Sequence, residues 1–596
     1  MAFNSFSFLF AYLPIVLILF WVSRRYLGRQ WADVCLIVAS LVFYGWNYPK
    51  CLPVLLGSLI VNYAWGCFLY RDLTKKPKAA RGKAVEKNAE KTVAKTVEKT
   101  GSVPDDFNRR RKCMLGAGIV LNVAVLGFFK YARLLPALQG IELDAPGISF
   151  FTFTQIAFLV ETYRRNIVPM GMSEYGLYVS FFPKLMQGPI MLPEDFQVQR
   201  SDEKPTEQRS NEKLTEEKKK RTRAVFENLA LCSTQTKDEW WEKLLRNVIL
   251  ISLGLFKKVI LADTLGQAVA AGFENVTALH AVDAWVVMLS YTLQLYFDFS
   301  GYCDIAMGVA AFFGYDLPLN FDSPYKAVNI MDFWKRWHKT LTDFLTKYVY
   351  IPLGGNRKGA FRMYVNFLIV FLVSGIWHGA GWQFVVWGMM HGTLYVITRA
   401  VSVYSRRKEA QVAGGRTVRE GCTNTNNHGL LRRLSHGVRV LLTFLYVNIA
   451  WVFFRATSVK EGVQFLRRLL TGGTGKVSRS IAEAFNLDEF WYVIKVLHLD
   501  QLPDSYFYVM VLFLIVCLLF IWVSPNAVQI AKKCRLNAAV VLLAAVLFVW
   551  FPSRESARFC ISIFSLFRAV QILPKYEWNV YIPSHIWQDL YGEVTK

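Results

Sequence analysis

The stretch MYVNFLIVFLVSGIWHGA, residues 363–380, is an apolar run that ends in a tryptophan, a histidine and a glycine-containing break. As a helix, its first fourteen residues rise about 21 Å, which is short of a hydrocarbon core of about 30 Å. With Arg362 at the cytoplasmic surface, His378 is therefore predicted to lie within the membrane. An ionisable side chain is costly in lipid, so such a histidine marks a candidate site.

The rest of the chain repeats this apolar pattern. Hydrophobic residues make up 54% of the 596 positions and aromatic residues 15%, and they occur in long blocks. A span needs roughly 20 residues, so about eleven of the blocks are predicted to cross. The predicted fold is an all-α polytopic integral membrane protein with added re-entrant and interfacial helices. The blocks lie near 6–22, 31–47, 51–70, 113–135, 147–162, 175–192, 244–272, 281–300, 363–376, 382–398, 437–454, 506–524 and 537–552.

The distribution of Lys and Arg predicts the orientation of the chain. The first block, residues 6–22, has no basic residue before it and Arg24 and Arg25 after it, unlike a secretory signal. It is predicted to be a retained span with its N-terminus outside. Residues 71–112 hold 14 Lys and Arg against 6 Asp and Glu, and residues 399–439 hold 9 against 2. Both of these loops are therefore predicted to be cytoplasmic.

The apolar block at 175–192 does not fit as a crossing. Basic residues precede it and a charged stretch, 193–243, follows it, so both of its flanks are predicted to be cytoplasmic. Pro183, Gly188 and Pro189 interrupt it. Irregular backbone at membrane depth is tolerated where protein or a watery cavity surrounds it. The segment is therefore predicted to be re-entrant and to line a cavity.

The net charge of +25 does not indicate a nucleic-acid partner. Most of the excess lies in the predicted cytoplasmic loops, where topology and anionic lipid headgroups account for it. A basic cytoplasmic face would also attract a phosphate-bearing donor such as coenzyme A. Residues 83–99 repeat with period four and, like 193–243, are predicted to be a solvated or partly disordered insert.

Cysteines and histidines show no metal-binding pattern. The ten cysteines form no CxxC pair and lie mostly inside apolar blocks, which is typical of small buried hydrophobic residues. The eight histidines show no HExxH or comparable spacing. No metal site is predicted.

The motifs around the two central histidines occur in this order: FDFSGYCDIAMG at 297–308, NF at 320–321, SPY at 323–325, FWKRWH at 333–338, YIPLGGNR at 350–357 and WHGA at 377–380. In order and spacing they resemble the membrane-bound O-acyltransferases, and within them the bacterial branch of the alginate O-acetyltransferase membrane subunit. The resemblance covers roughly residues 1–570 and is densest between 250 and 400. Cys303 stands where the family usually has serine, and Lys335 replaces the first of two arginines.

The resemblance implies a catalytic role for His378 and a second site histidine, His338, that faces the same channel. Acyl transfer from a thioester to a hydroxyl needs a base, and it needs a group that stabilises the oxyanion or protonates the leaving thiolate. Histidine, with an unperturbed pKa of about 6.5, can do both. On one continuous helix, residues 333–341 would place His338 on an aromatic face, as in an amphipathic interfacial helix.

The candidates for lining or supporting the channel are Asp298, Asp304, Trp337, Trp377 and His391. The two aspartates are expected to be buried and to accept hydrogen bonds that fix a loop. His391 follows His378 by thirteen residues, which is about 220° around one helix, so on a single helix the two could not share a face.

Residues 354–358, Gly-Gly-Asn-Arg-Lys, are predicted to form a turn. The cytoplasmic placement of this turn and its cations make it a candidate contact for the phosphates of the donor. The candidate donor-binding residues are Arg336, Asn356 and Arg357.

The resemblance and the apolar blocks divide the chain into seven predicted segments. These are N-terminal transmembrane helices at 1–70, a basic cytoplasmic insert at 71–112, transmembrane and re-entrant segments at 113–192, a charged cytoplasmic loop at 193–243, the acyltransferase core at 244–400, a cytoplasmic loop at 401–436 and C-terminal transmembrane helices at 437–596.

Two classes of function remain open. The first is an enzyme that moves an acyl group, acetyl by resemblance, from a cytoplasmic thioester across the membrane to an extracytoplasmic hydroxyl acceptor or relay protein, as in O-acetylation of an alginate-like exopolysaccharide. Within this class the alternative is D-alanyl transfer of the teichoic-acid type. The second class is a non-catalytic acyl conduit or scaffold, which would not need paired histidines.

The resemblance also implies the partners and the location. No tightly bound cofactor is predicted, and the acyl donor is expected to be acetyl-CoA or an acyl carrier protein thioester. Residues 456–505, predicted to lie outside, contain no GxSxG motif. A separate extracytoplasmic acyltransferase is therefore an expected partner, together with membrane lipids and without nucleic acid. The expected location is the bacterial cytoplasmic (inner) membrane.

Overall fold

The computed structural model describes residues 2–74, 105–132, 145–201, 230–231, 236–413, 427–473, 475–485 and 504–553. Within these ranges every regular element is a helix, and no β-strand occurs. The predicted all-α class is therefore confirmed. The repeat at 83–99, most of the charged loop 193–243 and the C-terminal residues 554–596 lie outside the described residues.

The described residues form twenty-one α-helices. In chain order they are α1 (Leu13–Tyr26), α2 (Arg29–Asn47), α3 (Leu52–Thr74), α4 (Asp105–Tyr131), α5 (Ile148–Tyr163), α6 (Met172–Ser180), α7 (Phe182–Leu185), α8 (Pro193–Ser201), α9 (Lys237–Leu255), α10 (Asp263–Glu274), α11 (Ala281–Phe312), α12 (Ile330–Arg336), α13 (Lys339–Leu345), α14 (Ala360–His378), α15 (Trp382–Ala413), α16 (Asn427–Arg455), α17 (Val459–Thr471), α18 (Arg479–Glu483), α19 (Ser505–Trp522), α20 (Ala527–Lys533) and α21 (Ala538–Ser553). A π-helical turn at Phe8–Tyr12 leads into α1, and another at Phe256–Ala262 joins α9 to α10.

Six helical segments of the described chain are long and apolar enough to cross a membrane. Their outward side chains are large and apolar, and Ile18, Val120 and Leu512 among them are exposed, as lipid-facing residues are. The protein is therefore a multi-pass membrane protein, while the count of about eleven crossings stays a prediction. The six segments are Phe8–Tyr26, Pro49–Arg71, Arg109–Tyr131, Ala360–His378, Leu434–Arg455 and Ser505–Trp522.

Helix α11 lies at the centre of the bundle and carries polar residues that a lipid-facing helix could not keep. It packs against α9, α10, α16 and α17. Its contact with α9 is backbone to backbone, because a Cβ at Gly254 would lie 2.7 Å from the carbonyl oxygen of Gly301. A Cβ at Gly301 would likewise lie 2.8 Å from the carbonyl oxygen of Gly254. Paired glycines thus allow the close helix crossing that membrane bundles use.

The segment 175–192 is broken, as its prolines and glycines predicted. Helix α6 ends at Ser180, α7 lasts four residues, and the chain then continues without regular structure. Protein groups satisfy its irregular backbone: the Tyr178 hydroxyl donates to the carbonyl of Met191 at 3.0 Å, and the Ile190 amide donates to the Thr340 hydroxyl at 3.0 Å. Neither α6 nor α7 is long enough to cross a bilayer. The re-entrant path itself stays a prediction.

Candidate active site

His378 is the last residue of α14, where Gly379 takes extended backbone and the chain turns into α15. Its ring lies 5.1 Å from that of Trp387 and 5.0 Å from that of Phe454, centroid to centroid. The residue is half-buried, and its imidazole makes no hydrogen bond to a described residue. The helix break therefore presents a histidine whose ring nitrogens are free to accept or donate a proton.

The close approach of α14 and α15 positions this break. A Cβ at Gly375 would lie 2.5 Å from the carbonyl oxygen of Phe384, and a Cβ at Gly388 would lie 2.5 Å from the carbonyl oxygen of Phe371. Real Cβ atoms do not approach backbone oxygen so closely. Any side chain at either glycine must therefore push the two helices apart and shift His378.

Replacement of Gly388 by alanine is expected to destabilise the protein by about 1–3 kcal/mol, because the added methyl overpacks a backbone contact. Gly437, on α16, is the matched control, since a Cβ there meets nothing within 4 Å. Alanine at Gly437 is expected to raise stability by up to about 1 kcal/mol, because alanine favours helix over glycine. Thermal unfolding in detergent, followed by tryptophan fluorescence, measures both. Equal melting temperatures for the two variants would contradict the close-packing argument.

The Trp377 ring packs against an aromatic ring and a lysine ammonium. Its ring stacks on Phe153 at 5.1 Å with an interplanar angle of 23°, and the Lys130 ammonium lies 4.9 Å from its centroid. The Tyr131 hydroxyl donates to the carbonyl of Ile376, so the end of α4 is tied to the end of α14. A supporting role of Trp377 in the channel stays a prediction.

His338 lies at a break between α12 and α13, and this corrects the expectation of one continuous amphipathic helix. Trp337 takes extended backbone at the C-terminus of α12, and His338 takes the left-handed conformation with φ 44°. The His338 ring is buried and packs edge-on against Phe299 at 4.9 Å. Hydrogen bonds to Asn320 stabilise the break: its side-chain oxygen lies 3.0 Å from His338 Nδ1, and its backbone carbonyl accepts from the Lys339 amide. The periodicity of the sequence could not show this tertiary contact.

Aromatic rings pack in series between the two histidines. We call the set Trp334, Trp337, Trp387, Trp451 and Phe454 the aromatic wall. Trp337 lies 5.0 Å from Trp451, and Trp451 stacks on Trp387 at 5.7 Å. Within the described residues no hydrogen bond joins the two imidazoles, so the channel shared by the histidines stays a prediction.

Asp298 and Asp304 lie on the long helix α11 and not on a loop, which corrects that expectation. Asp304 is buried and pairs with the Lys257 ammonium at 2.7 Å. The Asp298 side chain is 43% exposed, contrary to the predicted burial, and pairs with Lys258 at 2.7 Å. A helix can carry a carboxylate in an apolar run when a lysine of the neighbouring helix neutralises it. A cavity of about 10 Å³, room for about one water molecule, adjoins the buried pair and Asn320.

His391 lies on α15 and His378 on α14, so the condition of a single shared helix does not apply. The ring of His391 is fully buried, with centroids 5.0 Å from Trp387 and 5.2 Å from Trp334. Neither of its nitrogens has a hydrogen-bond partner among the described residues. His391 therefore packs against the aromatic wall and contacts Trp387, which also contacts His378.

The predicted turn at 354–358 is confirmed. Gly354 and Gly355 have φ values of 107° and 54°, which favour glycine, and Asn366 donates to the carbonyl of Gly355 at 2.9 Å. Asn356 and Arg357 are exposed on this turn.

Arg336 lies apart from that turn in the chain, at the end of α12, where its Nε donates to Asp332 at 2.9 Å. A role for Arg336, Asn356 or Arg357 in donor binding stays a prediction. Among the residues that the structure describes, no cluster of three or more histidines, cysteines or carboxylates is arranged to hold a metal.

Three site residues were not singled out from the sequence: Asn320, Trp387 and Lys130. Lys130 could have been singled out from the sequence, because it is the sole charged residue between positions 113 and 132 of an otherwise apolar block. Asn320 and Trp387 occur within family-like motifs, but nothing local in the sequence shows that they contact His338 and His378.

Comparison with known proteins identifies the family of this chain. Residues 112–416 match the profile of MBOAT, the membrane-bound O-acyltransferase family. The chain belongs to this family, and it is an O-acyltransferase. The family resemblance inferred from the motifs is therefore confirmed.

Curated relatives carry more specific names. The chain is 33% identical over 504 residues to a peptidoglycan O-acetyltransferase of Helicobacter pylori, covering 78% of this chain and 79% of the relative. It is 30% identical over 495 residues to a Pseudomonas putida protein named "Probable alginate O-acetylase AlgI", covering 80% and 82%. A teichoic acid D-alanyltransferase of Streptococcus thermophilus is 26% identical over 287 residues, covering 44% and 60%.

Proposed function

We propose that the protein moves an acetyl group from a cytoplasmic thioester through the membrane to a hydroxyl of an extracytoplasmic polysaccharide, directly or by way of a relay protein. The observation that carries the proposal is the position of His378. His378 is the last residue of the apolar helix α14 and is half-buried, and its imidazole makes no hydrogen bond to a described residue. An ionisable group kept in this setting is suited to proton transfer.

The chemistry needs only the thioester, the hydroxyl and two imidazoles. The acceptor oxygen attacks the thioester carbonyl carbon while one imidazole takes the hydroxyl proton. The carbon–sulfur bond then breaks, and the thiolate takes a proton from an imidazolium and leaves as a thiol. Thioester and alcohol thus give ester and thiol, so that atoms and charge balance. His378 and His338 supply the two proton-transferring groups, and the conduit alternative has no use for either.

The names of the relatives support acetyl as the group and a polysaccharide as the acceptor. The two O-acetylating relatives align with about four fifths of the chain, whereas the D-alanyltransferase aligns with 44% of it. Acetyl transfer is therefore favoured over D-alanyl transfer. Peptidoglycan and a secreted alginate-like polysaccharide are the two acceptors to test.

Deletion of the gene is expected to remove alkali-labile acetate from one polysaccharide fraction, because ester-linked acetyl groups are released by base. Acetate is measured separately in peptidoglycan and in secreted polysaccharide, with the wild-type gene restored as a control. Unchanged acetate in both fractions would refute the proposal. Loss of alkali-labile D-alanine instead would support the D-alanyl alternative.

A further inference from the structure

Asn320 is the centre of a hydrogen-bond network that links three parts of the fold. It lies in the connection between α11 and α12 and is completely buried. Its side-chain oxygen lies 3.0 Å from His338 Nδ1 and 2.9 Å from the Thr340 hydroxyl. Its side-chain nitrogen donates to the Cys303 sulfur at 3.4 Å. The amide of Asn320 therefore joins the His338 break to α11.

The direction of each hydrogen bond in this network can be assigned. The Ile190 amide donates to the Thr340 hydroxyl, so the hydroxyl proton is free to go to Asn320 Oδ1. The Thr340 backbone amide, which can only donate, also faces Oδ1 at 3.4 Å. The atom in this position must therefore be the amide oxygen, which has no proton to give. It follows that His338 Nδ1 carries the hydrogen of that contact.

This assignment decides the state of the other ring nitrogen. A neutral imidazole has one N–H and one lone pair, so a proton on Nδ1 leaves the lone pair on Nε2. No hydrogen bond from a described residue occupies Nε2 of His338. The ring is also held in place by Phe299, edge-on at 4.9 Å. The free lone pair is thus on the nitrogen directed away from Asn320.

We propose that Asn320 is a positioning residue for acyl transfer: by accepting from Nδ1 it holds His338 in the tautomer whose Nε2 takes the proton of the acceptor hydroxyl. The inference rests on the proposed function, because it presupposes that His338 transfers a proton. When Nε2 is protonated, the Nδ1 hydrogen bond to Asn320 is kept, so the ring need not turn between steps. A ring free to adopt the other tautomer would present an N–H where a base is needed.

The test uses membranes from the deletion strain that produce each variant and contain the native acceptor, supplied with radiolabelled acetyl-CoA. Asn320→Ala is expected to lower the rate of acetyl incorporation at least about 100-fold at an unchanged protein level, because loss of the correct tautomer disables a histidine base. Thr340→Val is the matched control. It removes the hydroxyl that accepts from the Ile190 amide and donates to Asn320 but leaves the His338 contact, and it should lower the rate no more than about threefold.

Asn320→Asp tests the positioning role through the pH dependence of the rate, which would not change if Asn320 only supported the fold. Aspartate still accepts from Nδ1 but stabilises the imidazolium, so a higher pH is needed to free Nε2. The acidic limb of the rate–pH profile is therefore expected to move to higher pH. The other titratable groups near this network are Cys303, which contacts Asn320, and Tyr296 and the Lys257–Asp304 ion pair, which line the same small cavity as Asn320. These groups are the same in the wild type and in Asn320→Asp, so a shift of the pH profile reports on the new carboxylate.

Three outcomes would overturn the inference. They are an Asn320→Ala rate within threefold of wild type, equal impairment of Asn320→Ala and Thr340→Val, and an unshifted pH profile for Asn320→Asp. Failure of the proposed function has a different signature, because wild-type membranes would then transfer no label from acetyl-CoA, or His378→Ala membranes would transfer it normally.

Discussion

Replacement of His378 by alanine is expected to reduce acyl transfer about a thousandfold, within the range typical of general acid–base groups. The change removes an imidazole that makes no hydrogen bond to a described residue, so little of the fold depends on its polar atoms. The rings of Trp387 and Phe454 remain to pack the end of α14. The rate is measured as incorporation of radiolabelled acetyl from acetyl-CoA into membranes, with protein level and thermal unfolding recorded in parallel.

Two further variants make this result decisive. His378→Gln keeps most of the side-chain volume between the aromatic rings but cannot serve as a base, so it should be as inactive as the alanine variant even if that one folds poorly. His436 is an exposed histidine on α16 outside the site, and His436→Ala should keep the wild-type rate. Near-normal transfer by a well-folded His378 variant would instead favour the conduit or scaffold function.

Lys257→Met is expected to destabilise the protein by about 3–5 kcal/mol, because it leaves the Asp304 carboxylate buried without its partner. Both side chains are almost fully buried, and their charged atoms lie 2.7 Å apart between α11 and the turn that follows α9. Thermal unfolding of the purified protein in detergent measures the loss. The adjoining cavity is too small to hydrate an unpaired carboxylate fully, since it has room for about one water molecule.

The double variant Lys257→Met with Asp304→Leu separates the burial of a lone charge from loss of packing. Replacing both members of a buried ion pair by apolar residues is often neutral, so the double variant should recover most of the lost stability. A double variant less stable than Lys257→Met alone would show that the pair stabilises the fold by more than mutual neutralisation. A single variant as stable as wild type would show that Asp304 becomes protonated at no cost.

The parts of the fold that could be predicted are those that depend on residues close together in the sequence. The turn at 354–358 and the break within 175–192 depend on glycine and proline, whose backbone preferences act wherever they stand. Blocks of apolar residues likewise predict membrane helices from length alone. Each of these features is decided by residues next to one another in the chain, so the sequence was sufficient.

The errors arose where distant residues decide the local structure. Residues 333–341 have the periodicity of one helix, but hydrogen bonds that Asn320 accepts stabilise a break at His338. Asp304 was expected to fix a loop because no partner for its carboxylate stands nearby in the apolar run. Its partner, Lys257, lies 47 positions earlier in the chain. Helix propensity and spacing contain no information on such pairings. The site geometry therefore required the three-dimensional arrangement.

The backbone of His338 has a consequence for how this protein can evolve. A left-handed turn at φ 44° costs a residue with a Cβ about 1 kcal/mol or more, a penalty that glycine avoids. Glycine at position 338 would avoid this penalty, but it would remove a buried ring and its hydrogen bond to Asn320, which is expected to cost more stability than the backbone strain. Directed evolution for heat tolerance would therefore be expected to keep a packed side chain at position 338, and the strained backbone would be inherited with it.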